Sequence, residues 1–221
     1  MRAVRGAARG AGLAAVGLLL AAALAHAGTL SRDQALAALA KRDDAAARRQ
    51  GAEGLGETGD MGDVPVLTRA LRDPDSGVRA LAEQSLWRVW SRSGDADADK
   101  ILMHGTEQMQ RGDLAEAVGT FTEIIKRKPD FAEAWNKRAT AYYLAGEFEK
   151  SLADCDEVMK RNPVHFGALS GYGLIYLQLG KPEDALLYFE RALGVNPNLA
   201  GIEQAVQAIK QLLAQQGKDT I

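Results

Sequence analysis

The sequence has a single cysteine, Cys155, among its 221 residues, so it cannot form an internal disulfide. In an oxidising compartment the chain would therefore depend on packing for its stability. Its 27 lysines and arginines are balanced by 29 acidic residues, so it lacks the basic excess typical of nucleic-acid binding by counterion release. With 47% hydrophobic residues it is too apolar for a disordered chain. We expect one compact domain or two small ones.

Long apolar runs are also scarce, and the most marked one lies near the amino terminus. Three arginines precede an apolar stretch, 12–25, which is followed by His26 and Ala27. This pattern predicts a secretory signal peptide over 1–27, cleaved after Ala27. The apolar run has about 14 residues, short of the ~20 that a membrane-spanning helix needs, so no stable membrane span is expected after cleavage. The basic head and alanine-rich core indicate export, most simply to a bacterial periplasm.

The second half of the sequence repeats with a period of 34 residues. The units and their aligned residues are 98–131 with Gly112 and Pro129, 132–165 with Gly146 and Pro163, and 166–199 with Gly180 and Pro197. The glycine suits a left-handed residue at the end of a first helix, and the proline stands where a second helix stops. Apolar residues at helical spacing, such as Ala117, Phe121 and Ile124, indicate a buried face. Each unit is therefore predicted to be a helical hairpin.

These units resemble tetratricopeptide repeats, whose pattern is W-x2-L-G-x2-Y, a glycine, A-x3-F and a proline. The matching residues are Gly105, Ala117 and Phe121 in the first unit, Trp135, Ala139 and Tyr142 in the second, and Gly173, Tyr176, Ala185 and Phe189 in the third. Ser151 and Cys155 replace the usual Ala and Phe in the second unit. The resemblance covers 98–199 and implies an all-α fold, a right-handed α-solenoid of helical hairpins. Residues 200–216 are expected to form a C-terminal capping helix.

A fainter period of 31 residues runs through the part of the chain before these units. It aligns Asp44 with Asp75, and the residues after Asp75 resemble a HEAT-like repeat, as found in phycobilisome lyases and many scaffold proteins. The earlier copy contains Gly51, Gly54 and Gly56. Each glycine costs up to about 1 kcal/mol relative to alanine in a helix, so we expect this copy to be degraded.

The HEAT-like helical segment is assigned to 31–93. Two such units bury too little surface to fold alone, because repeat stability comes largely from interfaces between neighbours. We therefore expect Trp87 and Trp90 to dock the segment against the part of the chain beyond residue 97. The run 91–97, rich in Ser, Gly and Asp, is the predicted joint.

Two short runs match functional motifs only in part. The run 54–59 has the letters G-x-G-x-x-G of a dinucleotide-binding motif, but no buried strand is predicted before it, so coincidence is favoured. The run 95–106 begins with three alternate aspartates like a calcium loop. Lys100 and Thr106 stand where that loop needs a glycine and a glutamate, which favours a solvated acidic linker.

The sequence brings together no catalytic set of residues. A thiol nucleophile at Cys155 with His104 or His165 as base is disfavoured, because Cys155 falls at a repeat-core position where a protonated thiol is inert. The two histidines outside the predicted signal peptide lie in separate repeats and lack metal-ligand spacing. We therefore predict no catalytic residue, no metal and no cofactor. An enzyme, such as a bilin lyase suggested by the HEAT-like part, is the least favoured class.

The resemblance implies a concave groove lined by the first helix of each repeat. The groove residues expected to contact a peptide or partner are Thr106, Met109, Gln110, Asn136, Lys137, Thr140, Tyr143, Ser170, Leu174, Leu177 and Gln178. Further lining positions are Asp99, Leu102, Met103, Glu133, Leu144, Gly167 and Gly171. Amide and hydroxyl groups suit an extended backbone, and Met, Leu and Tyr suit its side chains. In the alternative, some of these apolar residues pack against the HEAT-like segment or a neighbouring molecule.

This groove has too few cations for one kind of peptide. Cytosolic chaperone adaptors that resemble this array hold a terminal carboxylate with Lys, Asn and Arg side chains. The equivalent positions here are Leu102, Thr106, Lys137, Gly167 and Gly171. Only one cation remains, so a carboxylate clamp of that type is not expected.

The leading interpretation is a non-catalytic protein–protein interaction module. It would be exported and would bind a peptide segment or a partner surface in the groove, as a scaffold or assembly factor in the cell envelope. The expected partner is a protein or peptide and not a nucleic acid. A second hypothesis is a self-association module, in which the groove or exposed tryptophans pair identical chains into a homo-oligomer.

Overall fold

The computed structural model describes residues 29–219 of the chain. Within these residues it contains eleven α-helices, one short 3₁₀ turn and no strand. The predicted all-α class is therefore confirmed for this part of the chain. The predicted signal peptide, 1–27, lies outside the described residues.

The HEAT-like segment consists of four helices and the 3₁₀ turn. They are α1 (Arg32–Leu39), α2 (Ala45–Thr58), the 3₁₀ turn (Met61–Asp63), α3 (Val64–Ala70) and α4 (Ser76–Trp90). Asp44 and Asp75, which align at the 31-residue offset, have the same role. Each side chain accepts a hydrogen bond from a backbone N–H in the first turn of the next helix, at 2.9 Å. Both residues therefore cap a helix N-terminus.

The glycines of α2 allow close contact between helices and do not interrupt the helix. A Cβ added at Gly51 would lie 2.6 Å from the carbonyl oxygen of Ala35 in α1, and one added at Gly56 would lie 3.0 Å from Cβ of Ser85 in α4. The backbones of the three helices approach too closely for larger side chains. We expected a degraded repeat here, but α2 is continuous from Ala45 to Thr58.

Three helical hairpins in series and a final helix make up the rest of the described chain. They are α5 (Ala96–Arg111) with α6 (Leu114–Arg127), α7 (Ala132–Leu144) with α8 (Phe148–Arg161), α9 (Phe166–Gln178) with α10 (Pro182–Val195), and α11 (Ala200–Asp219). As predicted, a left-handed glycine ends the first helix of each pair: φ is +85° at Gly112, +77° at Gly146 and +69° at Gly180. The series of hairpins confirms the α-solenoid.

Within the first and third hairpins, a phenylalanine of the second helix packs against a glycine of the first. A Cβ at Gly105 would lie 2.6 Å from Cε1 of Phe121, and a Cβ at Gly173 would lie 2.8 Å from Cγ of Phe189. Both phenylalanines are fully buried. The repeat pattern therefore places its small and large residues where two helices pack closely.

The HEAT-like segment packs against the second half of the array through aromatic side chains. Trp90 stacks on His165 with ring centroids 4.3 Å apart, and Trp87 meets Phe166 edge-on at 5.2 Å. Phe166 belongs to the same hydrophobic cluster as the buried residues of the segment. The predicted docking role of the two tryptophans is confirmed. Trp90 is only 3% exposed, so the hypothesis of self-association through exposed tryptophans is wrong for this residue.

Polar contacts hold the segment to the turn between α10 and α11. The guanidinium of Arg72 donates to the carbonyl of Val195 at 3.0 Å, and that of Arg79 donates to Oδ1 of Asn198 at 2.9 Å. Asn198 in turn donates to the carbonyl of Leu71 at 2.8 Å. The segment thus contacts the connections before and after the third hairpin, which lie far along the sequence from its own residues.

The joint between the two parts is shorter than predicted. Helix α5 begins at Ala96, and the carboxylate of Asp95 caps it by accepting hydrogen bonds from the amides of Asp97 and Ala98. Asp99 lies within the helix and accepts the hydroxyl and the amide of Ser93 at 2.6 and 2.8 Å. The three aspartates therefore stabilise a helix start instead of forming a solvated acidic linker.

Candidate functional site

Exposed apolar side chains of the described residues gather on the first helices of the repeats. The large hydrophobic residues left exposed are Met61, Met103, Leu144, Leu174, Leu177, Leu187 and Leu212. Four of these seven lie on α5, α7 or α9, the helices predicted to line the groove, and Met103 is 63% exposed. Large apolar side chains left exposed on one set of helices are candidates for an interaction site.

A first depression, the outer pocket, lies between α5 and α7 and has a volume of about 460 Å³. Its lining residues are Ser91, Arg92, Asp99, Leu102, Met103, Thr106, Glu107, Gln110 and Lys137. Three of the predicted contact residues are therefore together here: Thr106, Gln110 and Lys137. Ser91 and Arg92 come directly after the last helix of the HEAT-like segment, so this segment forms part of the wall.

A second depression, the inner pocket, lies between α7, α8 and α9 and has a volume of about 140 Å³. Its lining residues are Asn136, Ala139, Thr140, Tyr143, Ser151, Cys155, Gly167, Ala168, Ser170, Gly171, Leu174 and Ile175. Five predicted contact residues are among them: Asn136, Thr140, Tyr143, Ser170 and Leu174. Because Lys137 and Thr140 are one turn apart on α7, the outer and inner pockets adjoin along that helix.

The inner pocket lies where the second repeat departs from the repeat pattern. Cys155 occupies the position of Phe121 and Phe189 in the other two hairpins, and its thiol fills much less space than a phenyl ring. Ser151 stands where the pattern has alanine, and its buried hydroxyl donates to the carbonyl of Ala139 at 2.7 Å. The departure from the repeat pattern therefore creates room beneath the groove.

The remaining predicted contact residues, Met109, Leu177 and Gln178, lie outside both pockets. Met109 is partly buried against the core of the first hairpin, since it falls on the same face of α5 as the buried Leu102, two turns away. Leu177 and Gln178 are exposed near the end of α9 and line neither pocket. Gly167 is covered from one side, because a Cβ there would lie 2.5 Å from Cη2 of Trp87. The alternative of packing against the HEAT-like segment is thus correct at Gly167.

Glu133, expected in the groove, is instead buried and paired with His165, the residue that immediately precedes α9. Its Oε2 lies 3.0 Å from Nε2 of His165, and neither side chain is exposed. His165 caps α9 by accepting the amide of Ala168 on Nδ1 at 3.1 Å, so its proton lies on Nε2 and points to Glu133. Burial acts to raise the pKa of Glu133, but His165, Lys137 and Asn136 outweigh it and hold that pKa below its usual value.

One signal for this pair is present in the sequence and could have predicted it. Glu133 lies in the first turn of α7 and His165 immediately precedes α9. Stacked repeats bring the starts of their first helices side by side, so complementary polar residues at these positions are expected to meet.

The one cysteine of this region is buried in the floor of the inner pocket. Burial, followed by the charges of Asp154 and Asp156, raises the pKa of Cys155 to about 12, so the thiol stays protonated. No group of three or more His, Cys, Asp or Glu side chains between residues 29 and 219 is placed to hold a metal ion. None of the eleven helices described has the length and apolar character needed to cross a membrane.

Comparison with known proteins agrees with the fold. Tetratricopeptide repeat models match residues 102–163 and 168–199. A HEAT repeats model matches 14–87 and begins inside the predicted signal peptide. A TPR repeat-containing protein of Rhizobium etli is 32% identical over 143 residues, which are 65% of this chain and 69% of that protein. The fold defines an α-solenoid of helical hairpins, and the chain belongs to the tetratricopeptide repeat family.

Two further similarities concern proteins whose names state a role or a ligand. The outer membrane protein assembly factor BamD of Caulobacter vibrioides is 28% identical over 114 residues, covering 49% of this chain and only 34% of that longer protein. The first TPR domain of Spaghetti, solved with an HSP90 peptide, is 26% identical with a TM-score of 0.51. That match covers 53% of this chain and 93% of the domain. Tetratricopeptide arrays are in general protein-interaction modules.

Proposed function

We propose that this protein is a non-catalytic interaction module that binds an extended peptide segment of a partner protein in the groove formed by the outer and inner pockets. The observation that carries the proposal is the exposure of Met103, Leu144, Leu174 and Leu177 on helices that also line two adjoining depressions. Covering such a surface with an apolar partner removes it from water and lowers the free energy of the complex. A preformed groove also lowers the entropic cost of binding.

The ligand differs from the acidic peptide of the Spaghetti complex. That structure holds the HSP90 peptide SRMEEVD. In this chain the one cation among the equivalent positions, Lys137, lies 3.5 Å from the buried carboxylate of Glu133 and is partly neutralised by it. The other cation of the groove wall, Arg92, already donates to the backbone carbonyls of Gly56 and Gly59. Few donors therefore remain for a peptide with several carboxylates.

The groove assignment is tested by a triple variant, Lys137→Ala, Tyr143→Ala and Leu174→Ala. Affinity capture from cell-envelope extract, with the intact chain and the variant in parallel, is expected to lose a specific partner in the variant. The matched control is Leu187→Ala with Leu212→Ala, which removes two exposed leucines outside the pockets. Circular dichroism must show equal helicity in all three proteins. Equal capture by the triple variant and the control would contradict the assignment.

The cellular role is proposed to be that of an exported scaffold or assembly factor in the cell envelope. The basic head and apolar run before Ala27 support export. The similarity to BamD, an outer membrane assembly factor by name, supports an envelope role. Mass spectrometry of the protein from a periplasmic fraction is expected to show a chain that starts at Gly28. An uncleaved chain in the cytoplasmic fraction would instead favour retention of 14–27 within the HEAT repeat match.

Self-association is the second candidate function. Leu187 on α10 and Leu212 on α11 are 53% and 45% exposed, and both lie outside the two pockets. They offer an apolar contact for a second copy at the carboxyl-terminal end of the array. Light scattering over a hundredfold range of concentration decides the matter, because a constant monomer mass excludes this function.

A further inference from the structure

Three of the four hydroxyl groups that line the inner pocket already donate their protons to backbone carbonyls of the protein. The hydroxyl of Thr140 donates to the carbonyl of Asn136 at 2.9 Å, and that of Ser170 donates to the carbonyl of Phe166 at 2.8 Å. Ser151 donates to Ala139 in the same manner. Each hydroxyl has one proton, so only its oxygen lone pairs remain for a ligand.

Asn136 extends this bias toward acceptors. Its amide nitrogen donates one of its two protons to Oε2 of Glu133 at 3.1 Å, and its carbonyl oxygen makes no hydrogen bond within the described part of the chain. The carboxylate of Glu133 lies fully buried behind it. Tyr143, at the rim, has the one hydroxyl of this pocket whose proton is not used by a described residue. The wall thus presents mainly acceptors.

The floor of the pocket is apolar and has room for one side chain. It consists of Ala139, Cys155, Ala168 and Ile175, each at most 3% exposed. An apolar cavity of about 150 Å³ is known to hold a benzene molecule, and the inner pocket measures about 140 Å³. Its size therefore suits the side chain of a leucine, isoleucine or phenylalanine.

We infer that the inner pocket takes one bulky apolar side chain of the bound peptide while neighbouring peptide N–H groups donate to Asn136, Thr140 and Ser170. This inference rests on the proposed function and specifies its ligand. An acidic residue at the same place would lose its hydration and bring its oxygen lone pairs against the oxygens of the wall. The site therefore selects neutral, apolar segments and rejects acidic ones.

The direct test uses four peptide pools with an amino-terminal fluorescein and an amidated carboxyl terminus. Each pool has a fixed central Leu, Phe, Ala or Asp between positions randomised among Ser, Thr, Asn and Gly. Fluorescence anisotropy with the intact chain is expected to show the Leu and Phe pools binding at least tenfold more tightly than the Ala pool. The Asp pool and the peptide SRMEEVD are expected to show no saturable binding. Equal affinity for the Asp and Leu pools would overturn the inference.

Two variants fill the pocket from opposite sides. In Gly171→Leu the new Cβ would lie 3.7 Å from Sγ of Cys155, an ordinary contact, so the helix accepts the side chain and the pocket is occupied. The double variant Ala139→Gly with Cys155→Phe recreates the glycine–phenylalanine pair of the other hairpins, Gly105 with Phe121 and Gly173 with Phe189. The second variant keeps the test valid if the first fails to fold.

The matched control is Gly119→Leu on α6, where an added Cβ meets no atom within 4 Å and the pocket is distant. Both pocket variants are expected to lose at least tenfold affinity for the Leu and Phe pools, and the control to lose none. Unchanged preference in both pocket variants would overturn the inference. If those variants still capture the envelope partner that the triple variant loses, the groove function stands and only the pocket assignment fails. If the intact chain binds no pool and captures no partner that the triple variant loses, the proposed function itself fails.

Discussion

Nε2 of His165 lies 3.0 Å from Oε2 of Glu133 in the interior of the protein, and this contact ties the start of α7 to the residue that precedes α9. Trp90 of the HEAT-like segment stacks on the same imidazole ring. His165 also caps α9 through its other ring nitrogen. Three parts of the chain therefore meet at one histidine, which gives this residue a larger structural role than a single hydrogen bond implies.

The variant His165→Ala is expected to destabilise the fold strongly. It takes one hydrogen-bond donor from the buried carboxylate of Glu133, which keeps Asn136 and Lys137 as partners, and a loss of this kind costs about 1–3 kcal/mol. It also removes the cap of α9. Urea unfolding followed by circular dichroism measures the loss in the free energy of unfolding.

Glu133→Gln is the matched control for this variant. The amide oxygen of glutamine still accepts the Nε2 proton of His165, and no charge remains buried, so the loss in unfolding free energy is expected to be less than half as large. If the two variants unfolded at the same urea concentration, the buried charge would not be the reason for the effect.

Acid is expected to weaken the HEAT-like segment through its buried ion pairs. Burial acts to raise the pKa of Asp73, but the guanidinium of Arg48, which donates to it at 2.8 Å, and the amide of Asp75 hold that pKa below its usual value. Since the folded pKa is the lower one, this pair adds stability above about pH 4 and loses it as the pH falls further. Urea unfolding between pH 7 and pH 3 measures the effect.

The variant Asp73→Asn identifies the group responsible. It removes the titrating carboxyl, so the free energy of unfolding is expected to fall less steeply between pH 5 and pH 3 than in the intact chain, although it starts from a lower value at pH 7. Parallel curves for the two proteins would assign the acid sensitivity to other carboxylates, such as Asp63 beside Arg32.

Two glycines in helices are expected to respond oppositely to alanine. A Cβ at Gly119 meets no atom within 4 Å, so Gly119→Ala should raise the free energy of unfolding by about 0.5–1 kcal/mol. At Gly51 the Cβ would meet the backbone of α1, and Gly51→Ala should lower the same quantity by about 1–3 kcal/mol. Thermal unfolding of the two variants measures both changes. A stabilising Gly51→Ala would show that α1 and α2 do not pack as described.

The sequence predicted the array well because its information is local and repeated. Gly112 and Pro129 recur at a fixed spacing, and each hairpin is formed by residues close together in the chain. The inner pocket could also have been predicted, since Cys155 departs from the repeat pattern. The contact of Trp87 with Gly167 could not have been predicted, because it joins a segment outside the repeats to the third repeat. Periodicity carries no information on how such a segment folds back.

This contact between the two parts predicts that they unfold together. Trp87 packs in the cluster that also contains Phe166, so Trp87→Ala removes surface shared by the HEAT-like segment and the array and should cost about 3 kcal/mol. In the intact chain, tryptophan fluorescence and circular dichroism are expected to give one coincident urea transition. In Trp87→Ala the two transitions should separate, because the HEAT-like segment loses one of the aromatic contacts that hold it to the array. The control is Trp135→Ala, which removes a partly buried indole that lies beside Arg138 and Arg161 on the array. Separate transitions in the intact chain, or equal effects of both variants, would contradict docking as the source of cooperativity.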